Sequence, residues 1–206
     1  KKELDAKKEA EKRIQQIISR LIEEERVRRE REAQMKKERE AVATRESRSG
    51  QDIDRDDIPL TNVAAFSTER LASFTELRGK MGWPVERGRI VKSYGENRNV
   101  RLNTVTVNYG IDILTTPQTL VKAVAEGIVS TIDWIPGYGS VMIISHKGGF
   151  RTVYGHLAQI NVNEGDKVSR GEVIATVGET LEGHILHFEI WNERNSQNPE
   201  TWLAKR

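Results

Sequence analysis

The chain of 206 residues contains no cysteine, which excludes disulfide bridges and zinc sites built from thiolates. It also lacks an apolar run approaching the roughly 18 residues that a membrane-spanning helix needs. Charge of one sign does not prevail either, because 33 Lys and Arg offset 31 Asp and Glu and leave a formal net charge of +2. This near balance gives no argument for nucleic acid as a partner.

Glycine and proline are absent from the first 48 residues, which consist mainly of strong helix formers such as Glu, Lys, Arg and Ala. We therefore predict one long, charged helix over residues 1–49, supported by pairs four residues apart such as Glu25–Arg29. Large aliphatic residues at three- and four-residue spacing form an apolar stripe on it. The stripe consists of Ile14, Ile17, Ile18, Leu21 and Ile22.

Two interpretations of this helix are open: a solvated spacer, or the C-terminal leg of a coiled-coil hairpin whose other leg is missing. The stripe favours the coiled coil, because leaving five large aliphatic side chains without a partner is unfavourable. The charge run is interpreted as a solvated face, since acids and bases interleave. The chain opens on Lys1, so we expect a fragment of a longer protein, with any secretion signal upstream.

Residues 50–82 are predicted to form a linker followed by a short arm helix from about Thr68 to Leu77, with Ser67 as its N-cap. The apolar residues of this arm are Phe66, Leu71, Phe74 and Leu77. A helix of this length is unstable alone, so its apolar side has to dock. It either packs on the following domain as ordinary structure or acts as a removable restraint over a groove.

From residue 83 to residue 206 short apolar runs alternate with turns, which predicts a mainly β domain. The predicted strands are Arg89–Tyr94, Thr104–Tyr109, Thr119–Ala123, Gly127–Trp134, Ser140–His146, Phe150–His156, Glu172–Thr176 and His184–Trp191. Only residues 198–203 look helical again. Regular short strands without intervening helices favour a sandwich or a partly open barrel.

The last predicted strand carries the most informative motif, in residues 183–190. Alternation places Ile185, His187 and Glu189 on one face and His184, Leu186 and Phe188 on the other. This segment resembles the closing strand of the LytM/lysostaphin-type zinc peptidases, which carries His-x-His followed by Phe-Glu. Aligned on Phe-Glu, His187 takes the place of the second histidine, a zinc ligand in that family. Ile185 takes the place of the first, which is catalytic there.

Other motifs extend the resemblance over nearly all of residues 83–206. They include Trp83-Pro84-Val85, Tyr109-Gly110-Ile111-Asp112-Ile113, Gly137-Tyr138-Gly139 and Tyr154-Gly155-His156-Leu157. The resemblance implies a LytM-type (duplicated hybrid) β domain, preceded here by the charged coiled-coil helix and the short arm.

The resemblance also implies a zinc site whose first ligands come from His-x-x-x-Asp. Here Asp112 is kept, but Asn108 stands at the histidine position, and a neutral amide is a poor zinc donor beside imidazole. A zinc peptidase needs three protein ligands and an open position, and only Asp112 and His187 remain as residual ligand positions. His156 is kept, but Ile185 can neither orient a water nor stabilise an oxyanion. We therefore expect no catalysis and no zinc cofactor.

A peptidase scaffold without its metal still has a groove suited to a peptide or helix. The residues assigned to this partner-binding groove are Asn108, Asp112, Tyr154, His156, Ile185 and His187. The order of coiled coil, arm and altered LytM domain resembles the EnvC-like murein hydrolase activators. That resemblance implies an envelope protein of the periplasm, which activates an N-acetylmuramoyl-L-alanine amidase in cell separation. Its coiled coil would connect it to the division machinery at the inner membrane.

Alternatives remain open. An active zinc endopeptidase that cuts peptide crosslinks in peptidoglycan would need a non-standard third ligand. A non-enzymatic peptidoglycan-binding module would need neither metal nor partner. Each surviving polar residue also has a purely structural interpretation: His156 bonded in the groove wall, Asp112 in a salt bridge, His187 as a half-buried strand histidine.

Overall fold

The computed structural model describes residues 2–49, 68, 71–99 and 104–205 of the chain. One long helix, α1 (Lys2–Ser49), precedes a β domain, as the sequence predicts. The predicted pair Glu25–Arg29 is present at 2.7 Å. Within the described residues, none of the helices combines the length and apolarity needed to cross a membrane. Phe66, assigned to the arm, falls outside the described residues.

The β domain contains all of the predicted strands and several shorter ones, so the prediction of a mainly β chain is confirmed. The strands are β1 (Arg89–Lys92), β2 (Gly95–Asn99), β3 (Thr104–Asn108), β4 (Ile111–Leu114), β5 (Leu120–Lys122), β6 (Gly127–Ile135), β7 (Gly139–Ser145), β8 (Phe150–Ile160), β9 (Lys167–Val168), β10 (Val173–Val177), β11 (Glu179–Thr180), β12 (Gly183–Asn192) and β13 (Asn195–Gln197). Turns of 3-10 helix lie at Thr75–Leu77 and Pro199–Thr201.

Most strands join one antiparallel sheet with the central order β1-β4-β12-β8-β7-β6-β9, while β2 and β3 form a separate hairpin. β8 connects two parts of this sheet. Its residues 150–155 pair with β12, and Leu157 and Ile160 pair with β10. Between them His156 has a φ of 58°, a left-handed conformation that bends the strand. Apart from the β2–β3 hairpin, the described strands therefore form one sheet that bends at His156.

One face of the sheet covers the main hydrophobic core, and the segment before residue 83 belongs to that core. The Phe74 ring stacks on Phe150 with centroids 4.7 Å apart and lies 5.2 Å from Trp202. Met81 is fully buried and pairs with Leu203 through an isolated parallel bridge. The arm's anchored part is thus ordinary domain structure, and the domain begins before the boundary at residue 83 that the sequence suggested.

The predicted arm helix from Thr68 to Leu77 is wrong for residues 71–74, which are not helical; of the described residues 71–77, only Thr75–Leu77 forms a 3-10 turn. The reason lies in contacts with distant parts of the chain. The backbone N–H of Ala72 donates to the Glu126 carboxylate at 2.8 Å instead of joining a helical ladder. The Phe74 side chain is buried in the main core. Packing therefore overrides a local helical preference that is weak in so short a segment.

The opposite face of the sheet is covered by α1. Three of the five stripe residues, Ile14, Ile17 and Ile18, are buried, and so is Ala10 of the same helix. They pack in one cluster with Ile135, Tyr138, Val141, Ile143, Val153 and Trp191 of the β domain. The stripe thus finds its partner in the chain's own sheet, whereas we expected a second helical leg.

Candidate functional site

The register of β12 places the key polar residues on the face that α1 covers. His187 lies opposite Asp112 of β4 and opposite Gly155 of β8. Glu189 and Trp191 follow at two-residue intervals, so their side chains share the face of His187. Leu186 and Phe188 lie in the main core behind the sheet. The predicted alternation is therefore confirmed, and we call the side that carries Asp112, His187, Glu189 and Trp191 the groove face.

Both ring nitrogens of His187 are bonded to carboxylates. Nδ1 lies 2.6 Å from Asp112 Oδ1, and Nε2 lies 2.8 Å from Glu189 Oε1. The other Glu189 oxygen accepts a hydrogen bond of 2.6 Å from the indole N–H of Trp191. Lys92 Nζ lies 3.8 Å from Asp112 Oδ2. These contacts form a buried network of fixed geometry rather than a set of open ligands.

Burial of the His187 ring by itself lowers its pKa, since an imidazolium is costly to desolvate. The hydrogen bonds and negative charges of Asp112 and Glu189 outweigh burial and raise the pKa of His187 to about 9. The ring is therefore an imidazolium at neutral pH, and both of its nitrogens act as donors. A proton thus supplies the positive charge between the two carboxylates.

Tyr138 connects this network to the helix. Its ring stacks on His187 with centroids 4.3 Å apart and meets His156 edge-on at 5.6 Å. The same Tyr138 is buried in the cluster that contains Ile14 and Ile18 of α1. Burial and the nearby carboxylate charges raise the pKa of its phenol well above its usual range. Tyr138 therefore lies between the helix and the His187 network.

The structure separates the other predicted groove residues. Asn108 and Ile185 are both buried, and the Asn108 Nδ2 has no hydrogen-bond partner. His156 lies beside Tyr138 at the bend of β8. Tyr154 is different, because it pairs across from Phe188 and packs on that ring in the main core. Its hydroxyl accepts from the Val124 backbone N–H at 3.1 Å, so Tyr154 is not part of the groove face.

The residues present do not fit a catalytic zinc ion. The two residual ligand positions, Asp112 and His187, lie 2.6 Å apart, but a catalytic zinc site needs a third protein ligand. Asn108 offers a weak neutral donor where the resemblance implies a histidine. In the part of the chain that the structure describes, no group of three or more His, Cys, Asp or Glu residues is arranged to hold a metal ion.

Ion pairs fix α1 on the groove face at two points. Near its start Arg13 approaches Asp133 of β6 at 3.6 Å, and both side chains remain partly solvated. Further along, Glu25 Oε2 lies 2.8 Å from Nη2 of Arg151, whose side chain is only 1% exposed. Arg151 also donates from Nη1 to the Gly149 carbonyl oxygen at 3.3 Å.

Sequence reasoning missed several members of this site. Glu189 was placed on the correct face by alternation, but its role as a second carboxylate for His187 was not foreseen. Trp191 continues the same alternation and could have been found that way. Tyr138 stands in the Gly-Tyr-Gly motif, yet nothing in one sequence places its ring on His187. Arg151 likewise gave no indication of pairing with a helix residue 126 positions away.

Comparisons with known proteins place this geometry in a family. Residues 106–199 match Peptidase family M23. The murein hydrolase activator EnvC of Escherichia coli (strain K12) is 31% identical over 177 residues, covering 85% of this chain and 39% of EnvC. The murein hydrolase activator NlpD of the same organism is 32% identical over 126 residues, covering 60% of this chain and 31% of NlpD.

Among solved structures, a zinc containing peptidase from Vibrio cholerae shares 25% identity and a TM-score of 0.55, over 62% of this chain and 41% of that chain. The chain spans about two fifths or less of the length of the curated relatives named above. The chain therefore carries a LytM-type domain of Peptidase family M23 and is similar to the EnvC-type murein hydrolase activators.

Proposed function

We propose that this chain is a non-catalytic activator of a peptidoglycan N-acetylmuramoyl-L-alanine amidase, acting in cell separation. The names of EnvC and NlpD as murein hydrolase activators support this role. We further propose a periplasmic location. The exposed part of α1 around residues 33–41 would lead to the division machinery at the inner membrane. The amidase would bind on the groove face.

The observation that carries the proposal is the set of groups around His187. Its two nitrogens are held by Asp112 and Glu189, and the positions of the remaining family ligand and catalytic histidine carry Asn108 and Ile185. A metal-bound hydroxide cannot be assembled from these groups as they stand. What remains is a shaped surface with aromatic and aliphatic side chains, which suits the apolar side of an α-helix.

In this structure the groove face is already covered by α1, so binding of an amidase requires the helix to leave. We propose that α1 is the autoinhibitory element, a role that the sequence left open for the arm at residues 66–77. The arm is unsuited to it, because Phe74 is locked between Phe150 and Trp202 in the main core. When α1 is pulled away, the groove face would capture an autoinhibitory helix of the amidase. Such a switch works only if the amidase binds the open state more tightly than the closed state.

The buried isoleucines give this switch its closing force. Burying one large aliphatic side chain stabilises by roughly 1.5–3 kcal/mol, so the buried stripe residues together favour the closed state. Replacing Ile14 and Ile18 by Asp would place charges in the buried cluster that contains Tyr138 and Val153 and open the groove. The matched control introduces the same charge at Gln16 and Ala33, which are exposed.

The test measures dye release from labelled peptidoglycan by a purified amidase. We expect Ile14→Asp/Ile18→Asp to stimulate the amidase strongly, while the wild-type chain and the Gln16→Asp/Ala33→Asp control stimulate it weakly. The chain alone with added zinc is expected to release no dye. Dye release without amidase would instead support a zinc endopeptidase, and retention on sacculi without stimulation would support a plain peptidoglycan-binding module.

A further inference from the structure

Arg151 is an unusual residue for the floor of a groove that docks apolar side chains. Its guanidinium lies on the groove face, where its β8 position pairs with Trp191 of β12. It is 1% exposed, and its Nε has no hydrogen-bond partner. Burial lowers its pKa, and the Glu25 carboxylate is the largest influence that opposes this.

A buried guanidinium tolerates being covered only while a carboxylate faces it. Removing one member of a buried ion pair is strongly destabilising, because the other charge is left desolvated and unpaired. When α1 leaves, water can solvate Arg151. When another helix takes the place of α1, that helix covers Arg151 again and has to supply the missing carboxylate.

We propose that Arg151 determines specificity on the groove face: it admits helices that place a carboxylate against it and rejects those that do not. This rests on the proposed function, and it assigns the partner a chemistry. The amidase helix that replaces α1 is expected to carry an Asp or Glu where α1 carries Glu25.

The geometry of α1 serves as the template for that helix. Ile14, Ile17 and Ile18 fill the apolar part of the groove face, and Glu25 follows Ile18 by seven residues. Seven residues are about two turns of an α-helix, roughly 10 Å along the axis. The partner helix therefore combines an apolar patch with an acidic residue about two turns away on the same side.

A peptide test measures this selection directly. The receptor is the full chain opened by Ile14→Asp/Ile18→Asp, and the probe is a fluorescent peptide of residues 8–33. We expect Glu25→Gln in the peptide to weaken binding by about tenfold or more, and Glu25→Arg to weaken it further. The matched control is Arg13→Gln, which removes a partly solvated ion pair and should change affinity by less than about threefold.

Reversing the charges supplies a rescue. An opened chain with Arg151→Glu should reject the wild-type peptide and recover affinity for the Glu25→Arg peptide. That recovery also shows that the variant is folded. Equal affinity of the opened chain for the wild-type and Glu25→Gln peptides would overturn the proposal.

The second arm uses the amidase itself, with binding measured by calorimetry. We expect Arg151→Gln in the opened chain to weaken amidase binding by about tenfold or more, and Arg170→Gln, an exposed control on the same domain, to leave it unchanged. If the opened chain binds the amidase and Arg151→Gln has no effect, the carboxylate requirement is refuted while the activator role stands. If the opened chain does not bind at all, the activator role is refuted, and the peptide series alone decides what the groove selects.

Discussion

The charge on His187 makes the stability of the β domain depend on pH in a defined direction. The folded chain holds a proton on this ring up to a pKa of about 9, whereas an unperturbed histidine releases it near 6.5. Because the folded-state pKa is the higher one, the stabilisation is fully present below pH 6.5. It is lost as the pH rises through about 9.

The separation of these two pKa values sets the magnitude. At roughly 1.4 kcal/mol for each tenfold change in proton affinity, the network contributes on the order of 3 kcal/mol. The side chain is fully buried, so solvent screening does not reduce this figure much. We expect the free energy of unfolding to decline by about this amount between pH 6.5 and pH 9.5.

Urea titrations followed by tryptophan fluorescence measure this decline, since Trp191 is bonded to the same Glu189 as His187. The control is His187→Gln, which carries no proton to lose. It should be less stable at pH 6.5 by about 3–5 kcal/mol, because two buried carboxylates lose their cation, and its stability should vary much less with pH. A wild-type curve that is flat from pH 6.5 to pH 9.5, or a His187 ring that titrates near pH 6.5 by NMR, would refute this reasoning.

Three further predictions concern stability. Phe74→Ala should lower the free energy of unfolding by about 3–5 kcal/mol in urea titrations, because the ring is buried in the main core; a loss below 1 kcal/mol would show that this segment is not anchored. Gly110→Ala should destabilise strongly in thermal melts, because its Cβ would overlap the Phe188 carbonyl oxygen, whereas Gly82→Ala meets no atom within 4 Å and should be neutral. Burial lowers the pKa of His146 to about 4. The contribution of the neutral ring to the free energy of unfolding is therefore full above pH 6.5 and is lost as the pH falls through about 4. In urea titrations, His146→Gln should remove this decline in stability at acid pH.

Much of the fold could be predicted from one sequence because its patterns are local. The helix over residues 2–49 follows from composition, and the alternation in β12 placed His187 and Leu186 on opposite faces. For the same reason, the predicted bounds of β6 and β12 lie within one residue of the observed bounds. The mainly β class therefore depended on signals that lie within a few residues of each other.

The parts that were wrong or missed depend on contacts between distant residues. The stripe of α1 predicted a partner, but nothing local told the sheet from a second helix. Phe74 showed an apolar side without showing which core it enters. The pairing of Glu25 with Arg151 spans 126 residues. The same holds for the bend at His156, where a left-handed residue other than glycine has no marker in the sequence.

The most direct test of the central claim follows α1 while the amidase binds. The chain has no cysteine, so spin labels can be placed on Gln16→Cys of α1 and Lys147→Cys of the β domain, both exposed positions. We expect one short, narrow distance distribution in the free chain. We expect a longer and broader distribution when the amidase binds and is activated. Activation of the amidase with the short distance unchanged would contradict the claim that the groove under α1 is the docking site.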